Sequence, residues 1–404
     1  MNILRSVSKY IAGFVFIFTG ITKGIDPIGS MYKFADYFAA LGVNGSGNLA
    51  LLLGVILCLT EFIIGFSLLA GIRTKLAAWG LLIFMVFFTP LTFILAIYNP
   101  VTDCGCFGDA LHMTNWQTFF KNLGLSAFVI VVFVERDNYK NSGSSITQWI
   151  AAVTVTFIFF LFVDHNYNHL PVVDFRPYSK GTNIPEDMKV PEGAPVDEYE
   201  TTLIYEKEGL REEFSLDNYP SNDTTWVFID QKSRLIRRGY TPPVHDINLS
   251  DLEGFDLTDS ILTDPGLSLI MITKRLSAAD QDALLNGFEA GFEVITNGIS
   301  FYVITSSPTE EVLEYSNGLN FLFADETTLK TIIRSDPGYV VLKEGTITEK
   351  WASVDLPGSG EIIGAINNSY PVKVINEYVK LSIIILLTIL LALAFSYTAR
   401  KVTK

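Results

Sequence analysis

Long apolar stretches recur along the first 163 residues, separated by short polar segments, and one more lies near the end of the chain. Each is close to the roughly 20 residues that a helix needs to cross a bilayer. The pattern predicts six membrane-spanning helices, at residues 8–24, 50–70, 76–98, 117–134, 147–163 and 381–398. Lys121 falls near one end of the fourth stretch, where its long side chain can extend to the interface.

Between residues 262 and 352 the pattern changes, because short apolar strands alternate with helical segments. The predicted strands are 267–273, 301–305 and 321–324, and the predicted helices are 277–294, 308–315 and 327–333. A predicted hairpin of 339–343 and 346–351 turns at Glu344-Gly345. This alternation indicates a layered α/β domain.

Two polar regions precede that domain. Residues 164–200, rich in Pro, Asp and Glu, are typical of an extended linker, here lying over the membrane face. Residues 200–245 hold short apolar runs separated by turn residues, which predict a small antiparallel sheet.

Charge divides the chain in the same way. The 404 residues are 49% hydrophobic and only 18% charged, against roughly 25% charged in an average soluble domain, which excludes a wholly soluble protein. Residues 164–379 hold 16 basic and 36 acidic residues, a net charge of −20. So acidic a region argues against nucleic acid as a partner.

The basic residues of the short loops predict the orientation, because such loops resist translocation. If the six helices alternate, one side receives Arg5, Lys9, Arg73, Lys75, Arg136, Lys140, Arg400, Lys401 and Lys404. Both termini are then cytoplasmic, and residues 99–116 and 164–379 face outward. In a bacterium this means the inner membrane and the oxidising periplasm, where disulfides persist.

Two of the three cysteines, Cys104 and Cys106, lie in the loop predicted to face outward. Two thiols that are separated by one residue and lie on the oxidising side of the membrane are well placed for thiol-disulfide exchange. Gly105 between them supplies the backbone freedom that a disulfide in so small a ring would need. Two other interpretations stay open: a permanent disulfide that clips the loop, and a metal site completed by His112, although structural zinc sites space their cysteines more widely.

Nearby charges bear on the reactivity of the pair. Asp103 and Asp109 should keep the segment at the water interface and should disfavour thiolates. Lys23 or Lys121 would offset them if either lies close.

A second site of interest is a carboxylate inside the second apolar stretch. A lone Glu61 near the bilayer midplane costs at least about 2.5 kcal/mol, so it should face the bundle interior, either protonated or paired. Lys23 is the nearest candidate cation, although it lies closer to the outer surface. Its role is open between a hydrogen-bonded network with Thr60, Thr89 and Thr92, and proton transfer or contact with a quinone. The sequence names no cofactor; a quinone is one candidate.

Cys58 lies in the same apolar stretch and is expected to be a small buried hydrophobe. The alternative is a third thiol that takes over a disulfide from Cys104 and Cys106. That role requires the loop at 99–116 to dip into the bundle.

Three short strings resemble the DoxX and MauE group of small, redox-associated membrane proteins. They are GITKGIDP at 20–27, EFIIG at 61–65 and CGCFG at 104–108. The resemblance covers about residues 1–135 and implies a four-helix membrane bundle. For the MauE branch it also implies a part in forming disulfides in an exported partner. The two further spans and the long acidic region look like the enlarged form found in Bacteroidetes-type bacteria.

The α/β region resembles the thioredoxin-like fold of the TlpA type, in which a proline, usually cis, precedes the final hairpin as Pro337 does here. In that family a cysteine pair opens the first long helix, whereas residues 274–280 contain no cysteine. The resemblance therefore implies a domain without dithiol chemistry of its own. Its surface around Pro337 either docks an extended peptide by strand addition or only packs.

Together these features predict an α-helical membrane bundle with a periplasmic thioredoxin-like α/β domain. The predicted domains are 1–135 (bundle), 136–164 (fifth membrane helix), 165–255 (linker and small β-rich region), 256–378 (thioredoxin-like domain) and 379–404 (last membrane helix and tail). The expected function is thiol-disulfide exchange with an exported thiol protein, with Cys104 and Cys106 as catalytic residues of an oxidoreductase. The alternative is a non-enzymatic envelope scaffold in which these cysteines are structural. The oligomeric state is not indicated.

Overall fold

A computed structural model describes residues 2–43, 45, 47–101, 104–221, 223–316, 318–370 and 376–402. The helices are α1 (Asn2–Ile25), α2 (Pro27–Ala40), α3 (Gly47–Ala70), α4 (Thr74–Tyr98), α5 (Asn115–Val134), α6 (Ser145–Asn168), α7 (Ile184–Asp187), α8 (Thr258–Leu262), α9 (Gln281–Thr296), α10 (Thr309–Tyr315), α11 (Glu326–Ile332), α12 (Ile362–Asn367) and α13 (Glu377–Val402). The strands are β1 (Glu198–Lys207), β2 (Leu210–Ser215), β3 (Val227–Arg237), β4 (Leu267–Thr273), β5 (Ser300–Thr305), β6 (Asn320–Phe323), β7 (Gly338–Lys343) and β8 (Thr346–Ala352).

Within the described residues, six helices are long and apolar enough to cross a membrane: α1, α3, α4, α5, α6 and α13. Each of the six predicted stretches lies within one of them. The spans are therefore confirmed as helices of membrane-crossing length and composition. Of the positive residues used for the orientation, Lys404 lies outside the described residues.

The membrane helices form a bundle in which α1 packs closely along α3, and α4 along α5. Helices α6 and α13 lie against α3. At the α1–α3 contact, a Cβ placed on Gly65 would lie 2.6 Å from the backbone nitrogen of Ile17. Only a residue without a side chain lets the two backbones come this close.

Helix α2 follows the first span and was not predicted. Asp26 caps its N-terminus, accepting a hydrogen bond of 2.7 Å from the backbone N–H of Gly29, and Pro27 occupies the first turn. Both are strong start signals. The search for long apolar stretches missed α2 because the helix is short and mixes aromatic with polar residues. It packs against α3.

Chain contacts divide the protein into two units, residues 183–247 and the rest. The smaller unit contains a three-stranded antiparallel sheet in the order β2-β1-β3. The small antiparallel sheet predicted within residues 200–245 is thus confirmed, and it begins two residues earlier.

The larger unit includes an α/β domain with a five-stranded sheet in the order β6-β5-β4-β7-β8. Strands β4, β5 and β6 are parallel, whereas β7 runs antiparallel to both β4 and β8. The predicted hairpin is present, with Glu344 and Gly345 in the left-handed backbone conformation of its turn. The peptide bond before Pro337 is cis, as predicted.

Helix α9 begins later than predicted. The sequence predicted a start at residue 277, with a serine there as the N-cap. Residues 276–278 instead form a short 3₁₀ turn. Asp280 is the cap, and its carboxylate accepts a hydrogen bond from the backbone N–H of Ala283. A carboxylate cap suits the positive end of a helix, which explains the displaced start.

The first part of the predicted linker is packed instead of extended over a surface. Tyr178 is fully buried, and Asp174 forms ion pairs of 2.7 Å with Arg176 and 2.9 Å with Lys350 of β8. Residues 181 and 182 exchange backbone hydrogen bonds with Ile347 at the edge of the sheet. The polar composition concealed this packing because the charges are buried in pairs.

Candidate functional site

The Cys104 and Cys106 side chains lie side by side in the loop between α4 and α5. Both are half-buried free thiols, and their sulfurs are 2.8 Å apart. Gly105 between them has a φ of +65°, in the left-handed region that glycine adopts without strain. The predicted approach of the two thiols is confirmed, and Gly105 has the backbone freedom that the sequence analysis expected of it.

Helix α2 holds this loop from one side. The Tyr37 hydroxyl donates a hydrogen bond of 2.9 Å to the backbone carbonyl of Cys104. The side chain of Lys33 covers Gly105, since a Cβ at that position would lie 2.9 Å from the Lys33 Cγ.

On the other side of the loop, the Phe107 ring packs edge-on against Phe18 of α1, with ring centres 5.3 Å apart. The loop is thus fixed by helices on both sides.

The two thiols differ in acidity. The hydrogen bond between the two sulfurs is the main reason that the pKa of Cys104 falls to about 6, because a Cys104 thiolate accepts from the Cys106 thiol. Burial opposes the shift, and Thr118 and Lys121 add to it. The same hydrogen bond, together with burial, raises the pKa of Cys106 well above its ordinary value. At neutral pH the pair is therefore one thiolate and one thiol, the state that attacks a disulfide.

The expected offset by a lysine is present. Lys121 lies with its ammonium 4.3 Å from the centre of the Phe107 ring and lowers the pKa of both cysteines. The Asp109 carboxylate forms an ion pair with Arg334, so its negative charge near the thiols is compensated. Asp103 lies outside the described residues.

Arg334 joins the α/β domain to the base of the cysteine loop. Its Nε donates to Asp26 Oδ2 at 2.9 Å and its Nη2 to Asp109 Oδ2 at 2.8 Å. The arginine is only 7% exposed. Burial alone would lower its pKa, but the two carboxylates outweigh burial and raise it. Burial and the charge of Asp26 raise the pKa of Asp109, with Arg334 opposing.

A second contact extends this junction along α2. Lys274 donates to the Tyr32 hydroxyl at 2.8 Å and pairs with Asp336 at 3.3 Å. Lys274 stands where the resemblance to TlpA would place the start of the cysteine-bearing segment. Pro337, predicted to dock a partner, is buried. The face of the α/β domain around Pro337 thus contacts the protein's own bundle.

Inside the bundle, Glu61 pairs with Lys23 as predicted. The Lys23 ammonium lies 2.7 Å from Oε1 and 2.8 Å from Oε2, and the residues are 6% and 7% exposed. The alternative network with threonines is wrong. Thr60 donates to the carbonyl of Ile56, and Thr92 donates to carbonyls of its own helix.

Cys58 is fully buried among apolar side chains near Phe62 and Phe66. Its sulfur donates to the backbone carbonyl of Val55 at 3.1 Å. These surroundings fit the small buried hydrophobe that the sequence favoured.

A cavity of about 410 Å³ lies beside the cysteine pair and the buried ion pair. Its polar lining includes Cys104, Cys106, Lys23, Glu61 and Lys121, and the rest of its wall is formed mainly by aromatic and aliphatic side chains of α1 to α4. Among the described residues, no group of three or more His, Cys, Asp or Glu is arranged to hold a metal ion.

Several of these residues were missed by the sequence analysis. Tyr32, Lys33 and Tyr37 all belong to α2, whose Asp26-Pro27 start signal would have revealed the helix. Arg334 gave no signal, because a single arginine before Pro337 looks like any surface charge.

These observations define a membrane protein with a thiol pair beside a buried ion pair. Residues 1–135, a third of the chain, match the family described as methylamine utilisation protein MauE. The matched part spans α1 to α5 and includes both cysteines. Residues 199–238 match a domain of unknown function, DUF8463, which coincides with the three-stranded sheet. No curated protein and no solved structure matches the chain.

Over its first 135 residues the chain is therefore similar to the MauE family of membrane proteins. The apolar helices imply a lipid bilayer around it.

Proposed function

We propose that this protein exchanges disulfides with an exported thiol protein through Cys104 and Cys106, at the outer face of a bacterial inner membrane. The observation that carries the proposal is the pair of free sulfurs 2.8 Å apart. The lowered pKa of Cys104 supports it, because a thiolate is the attacking species.

The exchange proceeds through a mixed disulfide. The Cys104 thiolate attacks one sulfur of a partner disulfide, and the other partner sulfur leaves as a thiolate. Cys106 then gives its proton to that thiolate and attacks the Cys104 sulfur, which releases the second partner thiolate. The cysteine pair is oxidised to a disulfide and the partner is reduced by two electrons. In reverse, the oxidised pair forms a disulfide in the partner.

The proposed orientation places both termini in the cytoplasm, with the cysteine loop and the α/β domain in the periplasm. Its support is the set of basic residues in short loops, which would otherwise require translocation.

We also propose that the α/β domain is thioredoxin-like. Parallel strands β4 and β5, a following antiparallel hairpin and a cis peptide before Pro337 support this assignment. The chain's three cysteines all lie outside this domain, so its proposed role is to position the loop and the partner. A partner that docks at Pro337 would have to displace the contacts of Arg334 and Lys274.

The proposal is tested by trapping. In cells producing Cys106→Ser, the resolving thiol is absent, so Cys104 should accumulate a mixed disulfide that mass spectrometry can identify. Cys58→Ser is the control and should trap nothing. If Cys104→Ser and Cys106→Ser cells both retain full thiol-oxidising capacity in the envelope, the exchange proposal is wrong.

The alternative function is a scaffold, and the ion pairs of Arg334 with Asp26 and Asp109 favour it, since they join the α/β domain to the bundle. The redox state of the cysteine pair separates the two. A scaffold keeps the pair in one state, whereas an exchanger is partly reduced in cells and responds to added oxidant.

A further inference from the structure

We infer that the cavity beside Cys104 and Cys106 binds the ring of a lipid quinone, which accepts the electron pair of the reduced cysteines. This inference rests on the proposed function and names its electron acceptor.

The first argument is the shape and lining of the cavity. Its volume of about 410 Å³ falls within the range of small-molecule sites. Most of the wall is apolar, with Leu53 and Leu57 from α3 and Phe84 and Phe88 from α4. A flat conjugated ring with an isoprenoid tail matches such a wall, whereas a water-soluble acceptor does not.

The second argument is where the cavity leads. The lining includes Phe87 and Ile94, which are exposed on α4, a membrane-spanning helix. Side chains exposed on such a helix face lipid. The cavity therefore extends from the cysteine loop to the bilayer, the compartment in which lipid quinones are dissolved.

The third argument is the polar part of the lining. Cys104, Cys106, Lys121 and the Lys23–Glu61 pair all line the cavity, and Lys121 and Lys23 lie close enough for their charges to act on Cys106. A quinone ring there would meet the thiolate at its carbon atoms and cations at its oxygens. Positive charge stabilises the oxyanion that forms when a thiolate adds to the ring.

The electron balance closes with this acceptor alone. The Cys104 thiolate adds to a ring carbon, and one quinone oxygen takes a proton from water. Cys106 then passes its proton to the second oxygen and attacks the Cys104 sulfur. The carbon–sulfur bond breaks, the disulfide forms, and the electron pair stays on the ring. One dithiol becomes one disulfide, and one quinone becomes one hydroquinone.

The test uses the full chain, purified in detergent with its cysteines reduced and oxygen excluded. Ubiquinone-1 or menadione is added, quinone absorbance is followed, and the thiols are counted by alkylation. We expect one hydroquinone per cysteine pair. Leu57→Trp should raise the quinone concentration that gives half of the maximal reduction rate by about tenfold or more, because the indole occupies the ring site. Leu57→Phe is the milder variant if the first does not fold.

The matched control is Leu52→Trp. Leu52 lies on the same helix but is 55% exposed and does not line the cavity, so quinone reduction should be unchanged.

Reaction with a soluble disulfide, measured in the same samples, separates the two proposals. If the reduced wild-type protein reacts with the disulfide but not with quinone, the inference is wrong and the exchange function stands. If it reacts with neither, the exchange function fails. If native mass spectrometry finds only phospholipid in the cavity and added quinone does not displace it, the site is a lipid contact and the inference is overturned.

Discussion

The pKa of Cys104 is lowered and that of Cys106 is raised, so at neutral pH only Cys106 keeps its proton. This difference in pKa arises because the left-handed backbone at Gly105 brings the two sulfurs into contact. A Cys-x-x-Cys pair is often activated by a helix N-terminus. Here the second thiol and Lys121 supply the activation, because the loop between α4 and α5 offers the pair no helix of its own.

The first prediction concerns this acidity. Alkylation of Cys104 by a membrane-impermeant reagent should follow a titration with its midpoint near pH 6, since the pKa is lowered to about 6. Below the midpoint the thiolate is protonated and the rate falls. Cys106→Ala removes the donor and should move the midpoint up toward the ordinary value near 8.5.

Cys106→Ser is the matched variant, because its hydroxyl can still donate, and it should shift the midpoint less. An unchanged midpoint in Cys106→Ala would contradict the role of the Cys106 thiol as the donor.

The second prediction concerns the Lys23–Glu61 pair. Removing one member of a buried pair leaves an uncompensated charge and costs about 3 to 5 kcal/mol. Lys23→Met should therefore lower the thermal midpoint in detergent strongly. The double variant Lys23→Met, Glu61→Gln should recover most of the loss, because no charge is left buried. Equal stability of the single variant and the wild type would show that the pair is not desolvated as described.

At the scale of elements, the contact between α1 and α3 decides where that pair forms. Gly65 stands one turn after Glu61, and its missing side chain lets α3 touch the backbone of α1 at Ile17. The closeness of the backbones allows Lys23 to reach both oxygens of Glu61 across the helix contact.

The third prediction follows from this contact. In Gly65→Leu the new side chain cannot fit beside Ile17, so the helices must separate. Overpacking of this kind costs typically 1 to 3 kcal/mol, and the thermal midpoint should fall. Gly124→Ala on α5 is the control, since a Cβ there meets nothing within 4 Å. That variant should be as stable as the wild type or slightly more so, because alanine favours helix.

If Gly65→Leu melts like the wild type, the backbones are not in contact at this position.

At the scale of the whole molecule, Arg334 connects residues that are far apart in the chain. Its two carboxylate partners precede it by 308 and 225 positions. One partner caps α2 and the other lies in the cysteine loop, so a single side chain joins the α/β domain to both of these structures.

The fourth prediction is that Arg334→Met loosens this junction. Asp26 and Asp109 lose their common cation, and amide hydrogen exchange should accelerate in α2 and in residues 104–110. Arg334→Lys should give an intermediate result, because a lysine cannot bridge both carboxylates with a rigid fork. Arg275→Met, at an exposed position of the same domain, is the control and should leave exchange unchanged.

Equal exchange in Arg334→Met and the wild type would mean that the junction is held by other contacts, such as that of Lys274 with Tyr32.

The fifth prediction concerns orientation in the membrane. Protease added to spheroplasts should cut within residues 164–379 and leave a C-terminal tag intact, because the basic short loops then stay in the cytoplasm. The same tag should be digested once the membrane is permeabilised. Digestion of the tag in intact spheroplasts would reverse the orientation.

The sequence alone determined those helices and strands whose buried side follows from a local pattern of apolar and polar residues. The six spans, the alternation of strands and helices after residue 262 and the hairpin at 344–345 follow from hydrophobic period and turn residues. It also indicated Lys23 as the candidate cation for Glu61, because few basic residues lie near that carboxylate in the membrane helices, and the structure decided between a protonated and a paired Glu61.

Only the tertiary structure decided the contacts between distant polar residues. The junction of Arg334 with Asp26 and Asp109, and the burial of Asp174 with Lys350, leave no trace in hydrophobic period, since charged residues look solvent-exposed until their partners are known. The lowered pKa of Cys104 likewise depends on the hydrogen bond with Cys106 and on the charge of Lys121 in α5. Local patterns report which side of an element is buried, whereas these contacts depend on which elements the fold brings together.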